Sequence, residues 1–374
     1  MKVSLKFVTG LVSCLILSGC TSTAPNSVIT DIGVSGTQIH VGFVRDSAGG
    51  NQGNQAQQFA GANLYFAARN SSQKVCGRDV VVEAFDSVAA SKDAVVATLT
   101  SSEFNPIGSS PAVDVLNGLT YLLDTKKLAK GDVIGIFTNS SDESVSQLLG
   151  ANYFATKSGL SVVSSGISGT ETDLNAAVLA LRDKGAKALI VPGGQATLSA
   201  VVSSPSLGAV AVPVLADARA FEDATIAALT PNSVYLQTNV VLMSEVLPVS
   251  SDSDATRAVA QAYVSAIKSG ALAPSVHPGL GINVGWAEAS ILTTALDRAC
   301  GSGSLTREAV SQALAKLGAV STGVGVDLDY GKRPKLPSAA TILLQPAQAT
   351  FGKTSVLRGA SISPLAGDFY EGRN

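Results

Sequence analysis

Gln38-Ile39-His40-Val41-Gly42-Phe43-Val44, the stretch Gln55 to Arg69, and Asp79-Val80-Val81-Val82-Glu83-Ala84-Phe85 together decide the fold. In the first segment Ile39, Val41 and Phe43 alternate onto one face, the two-residue period of a strand. In the second, Phe59, Ala62 and Phe66 recur at the spacing of one helix face. The third is a second strand, rich in valine. A strand, a covering helix and another strand make a βαβ unit, which demands a parallel sheet.

The same alternation continues outward. The pattern predicts a helix from Ser91 to Ser101 capped by Ser91, a helix at about Ala112 to Asp124, and a strand from Asp132 to Phe137. A helix from Asp142 to Ser158 and a strand from Ser161 to Ser164 follow. Thr170 and Asp173 open the next helix, whose Leu174, Val178 and Leu181 form an apolar stripe. That helix ends at Gly185, before a buried strand from Ala188 to Val191. Strands are predicted at Val212 to Leu215 and Ser233 to Thr238, then helices at Asp254 to Ser269, Val284 to Ala299 and Thr306 to Leu317. Gly325 to Val356 reads as strand and turn. The fold class is α/β, with parallel sheets covered by helices on both faces.

Composition bounds the rest. The 374 residues are too many for one typical core and call for two lobes. Hydrophobic residues make up 46% and charged residues 14%, so the chain builds a real core. Net charge is −2 with Lys and Arg scattered, which excludes the basic stripe of a nucleic-acid surface. His40 and His277 have no ligand-spaced partners, and there is no CxxC, which argues against a zinc site. Gly49-Gly50-Asn51-Gln52-Gly53 lacks the Lys-Ser/Thr of a phosphate loop. No G-x-S-x-G occurs and neither histidine sits near a nucleophile, so no enzyme and no cofactor are expected.

The N-terminus carries its own signal. Lys2 and Lys6 precede an apolar run from Phe7 to Leu17, shorter than the roughly 20 residues that span a bilayer. It has the flanks of a secretory signal. Leu17-Ser18-Gly19-Cys20 resembles the lipobox of bacterial lipoproteins, which implies a signal peptide over residues 1–19, a diacylglycerol on Cys20 and a soluble part outside the cytoplasm. Residues 20–37, rich in Ser, Thr, Gly and Pro, read as a flexible tether. Cys14 leaves with the signal and Cys20 takes the lipid, so Cys76 and Cys300 remain, either paired in that oxidising location or as two separate buried thiols.

Several phrases, in order, carry a wider resemblance. They are the opening strand Gln38–Val44 with the helix phrase Phe59-Ala60-Gly61-Ala62-Asn63-Leu64; the turn Cys76-Gly77-Arg78-Asp79-Val80; and Asp86 with Asp93-Ala94. Thr172-Asp173-Leu174 through Lys187-Ala188-Leu189-Ile190-Val191 follows, then Trp286-Ala287-Glu288-Ala289 through Leu296 and Thr306-Arg307-Glu308-Ala309-Val310. Over about residues 38–345 the chain resembles the type I periplasmic binding proteins, in the branch that binds leucine, isoleucine and valine.

The resemblance implies two lobes closing on a solute, the first from 38–130 and 252–325, the second from 131–251 and 326–374. It departs between Asp86 and the strand at Asp132, where the chain is short by several tens of residues, so the first lobe reads as shortened. With both elements in the first lobe, Cys76 and Cys300 are expected to pair.

In such folds, loops at the carboxyl ends of parallel strands hold the ligand. The implied ligand-binding residues are Asp46, Ser47, Ser109, Ser110, Asp142, Gly194, Gln195 and Asp217, the last at the position of a carboxylate for the ligand's ammonium. Several family members use tyrosine where Asp142 and Gln195 stand, which implies a more polar or smaller ligand than leucine. Implied partners are a small-molecule solute, ABC permease and ATPase subunits, and the membrane through the lipid anchor, with no nucleic acid. The alternative from another class is a non-transport sensor or envelope interaction lipoprotein that keeps the scaffold without ligand closure.

Overall fold

The computed structural model describes residues 28–45, 52–91, 94–99, 107–167, 171–204, 207, 212–221, 233–332 and 336–371. The signal sequence, Cys20, Asp46 and Ser47 lie outside the described residues.

In chain order the elements are β1 (Ile29–Thr30), β2 (Gln38–Val44), α1 (Gln52–Ser72), β3 (Asp79–Phe85), α2 (Val88–Ser91), β4 (Ala97–Leu99), α3 (Pro111–Asp124) and β5 (Val133–Thr138). Next come α4 (Asp142–Ser158), β6 (Ser161–Gly166), α5 (Glu171–Asp183), β7 (Ala186–Val191), α6 (Gln195–Ser203) and β8 (Val214–Asp217), which leads into a 3-10 turn, Ala218–Ala220. Then follow α7 (Ser233–Asn239), β9 (Val240–Ser244), α8 (Asp254–Ser269), α9 (Leu280–Gly301), β10 (Ser304–Leu305), α10 (Arg307–Ala315) and β11 (Ala319–Val320). The chain finishes with β12 (Leu328–Asp329), a second 3-10 turn (Tyr330–Lys332), β13 (Thr341–Pro346), β14 (Thr354–Ser361) and α11 (Leu365–Glu371).

Among the described residues a three-stranded sheet has the order β3-β2-β4 and is parallel throughout. A seven-stranded sheet has the order β14-β13-β9-β8-β7-β5-β6, parallel from β9 to β6, with β13 and β14 antiparallel. The larger sheet buries both faces, and β7 shows how. Ala188 and Ile190 join the apolar cluster that contains α3 and α4, while Leu189 and Val191 join the cluster with α5 and α6. A strand covered on both sides reads as a continuous apolar run. The smaller sheet is covered by α1, whose Ala62 and Phe66 are buried with Ile39, Val41 and Phe43.

α1 lies against α9 at unusually short range. A Cβ at Gly61 would come within 2.0 Å of the Ile282 carbonyl oxygen, and one at Gly285 within 1.8 Å of the Gln58 carbonyl oxygen. These glycines let two helix backbones touch, which fixes where the start of α1 points. Tyr65 and Trp286 stack edge to face beside this contact, 5.1 Å between centroids.

Three sequence expectations change. The helix predicted over Ser91 to Ser101 is replaced by the short α2 and by β4, which pairs with Val41, Gly42 and Phe43. Buried Val95, Val96 and Leu99 favour a pleated, covered strand over an exposed helix there. The strand predicted over Ser233 to Thr238 is α7, and the strand comes next: all five residues of β9 are buried between β8 and β13, which suits a continuous apolar run better than an alternating one. Finally, Ile29 and Thr30, inside the stretch whose composition suggests a tether, pair in parallel with Ser304 and Leu305.

α3, read from sequence as part of the first lobe, packs with α4, β9 and β13 of the seven-stranded sheet. Ser110 caps it, accepting from the Val113 N–H, and Pro111 starts it. Two further passages between the sheets run side by side, where Val246 bridges Gly325 and the Leu247 N–H donates to the Val324 carbonyl at 2.8 Å. Cys76 and Cys300 are joined, with Cα atoms 5.9 Å apart, tying the turn before β3 to the end of α9.

Candidate functional site

The carboxyl ends of β5, β7 and β8 lie side by side, so the loops that leave them gather on one edge of the large sheet. They face the first turns of α1, which belongs to the small sheet. Between them is a cavity of about 180 Å³. Asn54, Gln55 and Gln58 line it from α1; Glu143, Gly193, Gly194, Asp217, Arg219 and Ala220 line it from the large sheet. Ala220 is the single apolar side chain among them.

Each large-sheet residue has a local reason to be there. Ser141 caps α4, accepting from the Ser144 N–H, and this capping turn places Glu143 one step into the helix and toward the cavity. Glu143 Oε1 accepts from the Gly193 N–H at 3.2 Å and from Gln147 Nε2 at 3.1 Å. Burial raises the Glu143 carboxyl above its ordinary range, and the Asp217 charge adds to this; the Gly193 bond and Arg219 work against it.

Gly194 is the N-cap of α6 and supplies no capping side chain, so the helix start presents backbone to the cavity. Asp217 caps the 3-10 turn, accepting from the Arg219 N–H at 2.7 Å. The same carboxylate grips the Arg219 side chain at two points, Nε to Oδ1 at 3.0 Å and Nη2 to Oδ2 at 2.6 Å. Burial alone would lift the Asp217 carboxyl, but the Arg219 charge and its hydrogen bonds outweigh that and hold it below the usual carboxylate range. Asp217 in turn raises Arg219 well above its ordinary value, with burial opposing and Glu245 and Glu143 assisting. The Arg219 side chain keeps 44% of its surface exposed, although the cavity walls surround it.

α1 meets this edge through amides. Gln58 Nε2 donates to Asn54 Oδ1 at 2.6 Å, and Asn54 Nδ2 reaches the Arg219 carbonyl at 3.5 Å. The site therefore spans both sheets even without a solute.

The residues proposed from sequence divide. Gly194 and Asp217 line the cavity. Asp217, however, is already satisfied by Arg219. Ser110 is a helix cap, and Ser109 donates to Asp114 Oδ1 at 2.5 Å; neither lines the cavity. Asp142 is exposed, and its neighbour Glu143 is the lining acid. Gln195 opens α6 beside the cavity and is not among its lining residues. Sequence reasoning missed Asn54, Gln55, Gln58, Glu143 and Arg219. An amide pair four apart at the start of α1 was the available signal, since positions i and i+4 share a helix face.

Two further acids, Asp114 and Glu288, stand outside the cavity lining. Asp114 of α3 accepts from Ser109 and, at 2.6 Å, from Thr341. Burial pushes its carboxyl up to about 7, with Glu245 and Asp217 adding to the rise and the two hydroxyl bonds reducing it. Glu288 of α9 is pushed up to about 8, first by burial and then by Glu245, with Arg219 opposing. No group of His, Cys, Asp or Glu among the described residues could hold a metal ion.

An α/β molecule with a polar cavity between its two larger sheets can be compared with known proteins. A family model described as periplasmic binding protein matches residues 88–341. The chain belongs to this family.

Its solved neighbours are type I periplasmic binding proteins. A fatty acid ABC transporter substrate-binding protein from Thermomonospora curvata superposes with a TM-score of 0.81 at 23% identity, over 92% of this chain and 97% of that one. A branched-chain amino acid ABC transporter protein from Thermus thermophilus with bound valine gives 0.70 at 14% identity, over 91% and 100%. A possible leucine/isoleucine/valine-binding protein from Rhodopirellula baltica SH 1 gives 0.64 at 15%, over 90% and 98%. A search of curated proteins finds no match. At these identities the neighbours establish the fold. Membership of the periplasmic binding protein family implies work outside the cytoplasm, and no helix among the described residues is long and apolar enough to cross a membrane.

Proposed function

We propose that this periplasmic binding protein is a lipoprotein, anchored through a diacylglycerol on Cys20, that captures a small polar solute between two lobes and delivers it to an ABC importer. The solute class is an amino acid or amide. The observation that carries this reading is the chemistry of the cavity wall. Three amides, an acid whose one oxygen is held by Gly193 and Gln147, and a guanidinium with an exposed edge face a volume of about 180 Å³. Glu143 suits an ammonium, and Arg219 with the uncapped start of α6 suits a carboxylate.

A fatty acid fits this wall poorly, because a long alkyl chain would lie against amides and charges that then lose their water. The lobes are the three-stranded and seven-stranded units, with crossings before α3, at Glu245 to Val249 and around Gly325. Closure would bring the amides of α1 onto a solute held by the large sheet, so that contacts made only in the closed state stabilise it. A permease pair and a cytoplasmic ATPase are the partners.

Thermal unfolding of the mature chain against amino acids, amides and fatty acids tests this. A solute at 100 times its Kd adds about 2.7 kcal/mol to the folded state. A shift with amino acids or amides supports the reading; a shift with fatty acids alone overturns it. The anchor is tested separately by Cys20→Ser, which should release the protein from the membrane fraction.

A further inference from the structure

The composition of residues 20–37 suggests a tether, yet its second half is built into the small-sheet lobe. The Ile29 N–H donates to the Gly303 carbonyl at 2.9 Å, and β1 runs parallel to β10. Gly33, at φ +81°, lies so close to a neighbouring segment that a Cβ there would sit 2.4 Å from the Val96 nitrogen. Its carbonyl accepts from the His40 N–H at 2.7 Å. Val28 and Val34 pack against the apolar core. Ile29 and Ile32 do not: they are 65% and 45% exposed. Single exposed apolar side chains are ordinary on a protein surface. These two stand together where the chain leaves the lobe toward Cys20.

That place lies far from the cavity. α9 begins against the cavity wall: a Cβ at Gly281 would meet the Asn54 carbonyl oxygen at 2.7 Å, and Asn54 lines the cavity. The helix has 22 residues and is about 33 Å long, and just beyond its end Gly303 holds Ile29. β1 and the cavity therefore sit at opposite ends of α9. From Cys20 to Ile29 the chain takes nine steps, which reach at most about 30–32 Å when fully extended. A lobe standing with its cavity against a bilayer would hold Ile29 about 33 Å or more above it. With β1 docked, a lipid on Cys20 cannot reach the bilayer from there.

We propose that the β1 end of the small-sheet lobe is a membrane-resting face, with Ile29 and Ile32 seated on the lipid surface and the cavity held at the far end, away from the bilayer. The proposal rests on the reading of Cys20 as the lipid-bearing residue. The short reach of the chain brings this end to the surface, and the two isoleucines keep it there by leaving water. Arg298, in the last turn of α9, donates to the Lys316 carbonyl, so two exposed cations stand at the same end, which suits anionic headgroups. Asp31 opposes them; its Oδ1 accepts from the Ile32 N–H at 2.7 Å. Asp297 is paired with Arg69.

Energy transfer from a single label to a rhodamine-headgroup lipid tests this, with the acylated chain carried by vesicles of phosphatidylethanolamine and phosphatidylglycerol. Cys20 holds the lipid and Cys76 is joined to Cys300, so an introduced cysteine takes the label. Gly36→Cys marks the β1 end, where an added Cβ meets nothing within 4 Å. Asp142→Cys marks the cavity edge from an exposed position. The expected result is strong transfer from residue 36 and weak transfer from residue 142. Equal transfer from the two, or the reverse order, overturns the proposal.

Ile29→Ser/Ile32→Ser removes the seat and leaves the docked backbone in place. The ratio of seated to lifted lobes should fall about tenfold or more, so that the two labels converge. Transfer that does not change in this variant overturns the role of the isoleucines. A chain that fails to float with the vesicles overturns the lipid on Cys20, and this proposal with it. A chain that floats but shows no difference between the labels overturns this proposal alone.

Discussion

Alanine at position 285 would place its Cβ 1.8 Å from the carbonyl oxygen of Gln58, and an atom of α1's backbone cannot turn aside as a side chain can. Ordinary contact requires the two helices to separate by about 1 Å or more at this point. Two effects oppose each other. Replacing Gly by Ala inside a helix is favourable by about 1 kcal/mol through propensity. Overpacking a tight contact costs about 1–3 kcal/mol, and a backbone obstacle between two long helices belongs at the upper end.

The expected net loss is about 2 kcal/mol. At Gly301, the end of the same helix, an added Cβ would meet nothing within 4 Å, so Gly301→Ala should be neutral or slightly stabilising. Urea denaturation followed by circular dichroism measures both, with an unchanged slope confirming that stability alone has moved. Gly285→Ala as stable as wild type would refute the claim that the α1–α9 contact is at its limit. Because the obstructed atom belongs to Gln58, whose side chain lines the cavity, solute affinity should fall in the same variant.

Glu143→Gln should weaken binding of an ammonium-bearing solute by about tenfold to a hundredfold, measured by calorimetry, with little change in melting temperature. Replacing Cys76 and Cys300 by alanine opens a loop of sequence separation 224 and should cost about 2–5 kcal/mol by guanidinium denaturation; wild type with reductant should show the same loss. Glu288 has its folded-state carboxyl raised from 4.5 to about 8. Its contribution is fully present below about pH 4.5 and is lost as pH rises to about 8, a decline of at most roughly 4–5 kcal/mol. Glu288→Gln should flatten that decline when the denaturation midpoint is followed across pH, and an unaltered profile would show that other groups govern it.

Much of the fold is written in local periods. The alternation of Ile39, Val41 and Phe43, the apolar run Ala188 to Val191, and the stripe of Leu174, Val178 and Leu181 each declare their element without help from distant residues. The failures have a common cause. Ala97 to Leu99 and Val240 to Ser244 are strands because a neighbouring strand and covering helices accept them, and neither condition lies within a few residues in sequence. α3 was legible as a helix, yet its partner sheet was not, since an amphipathic face does not name what covers it.

The candidate site divides in the same way. Gly194 comes after the end of β7 and Asp217 closes β8, so position along the chain puts both at the sheet edge that borders the cavity. That Glu143 rather than Asp142 turns inward depends on the capping turn at Ser141, and that Asp217 spends its charge on Arg219 depends on a bidentate geometry. The sequence by itself determined the α/β class and the parallel alternation of strands and helices, because these follow from spacing along the chain. Tertiary structure alone decided which side chains share the cavity, how closely α1 approaches α9, and which acids, Asp114 and Glu288, burial raises toward neutrality. Contact, burial and electrostatic coupling are functions of distance through space, and residues far apart in the chain become neighbours only once it has folded.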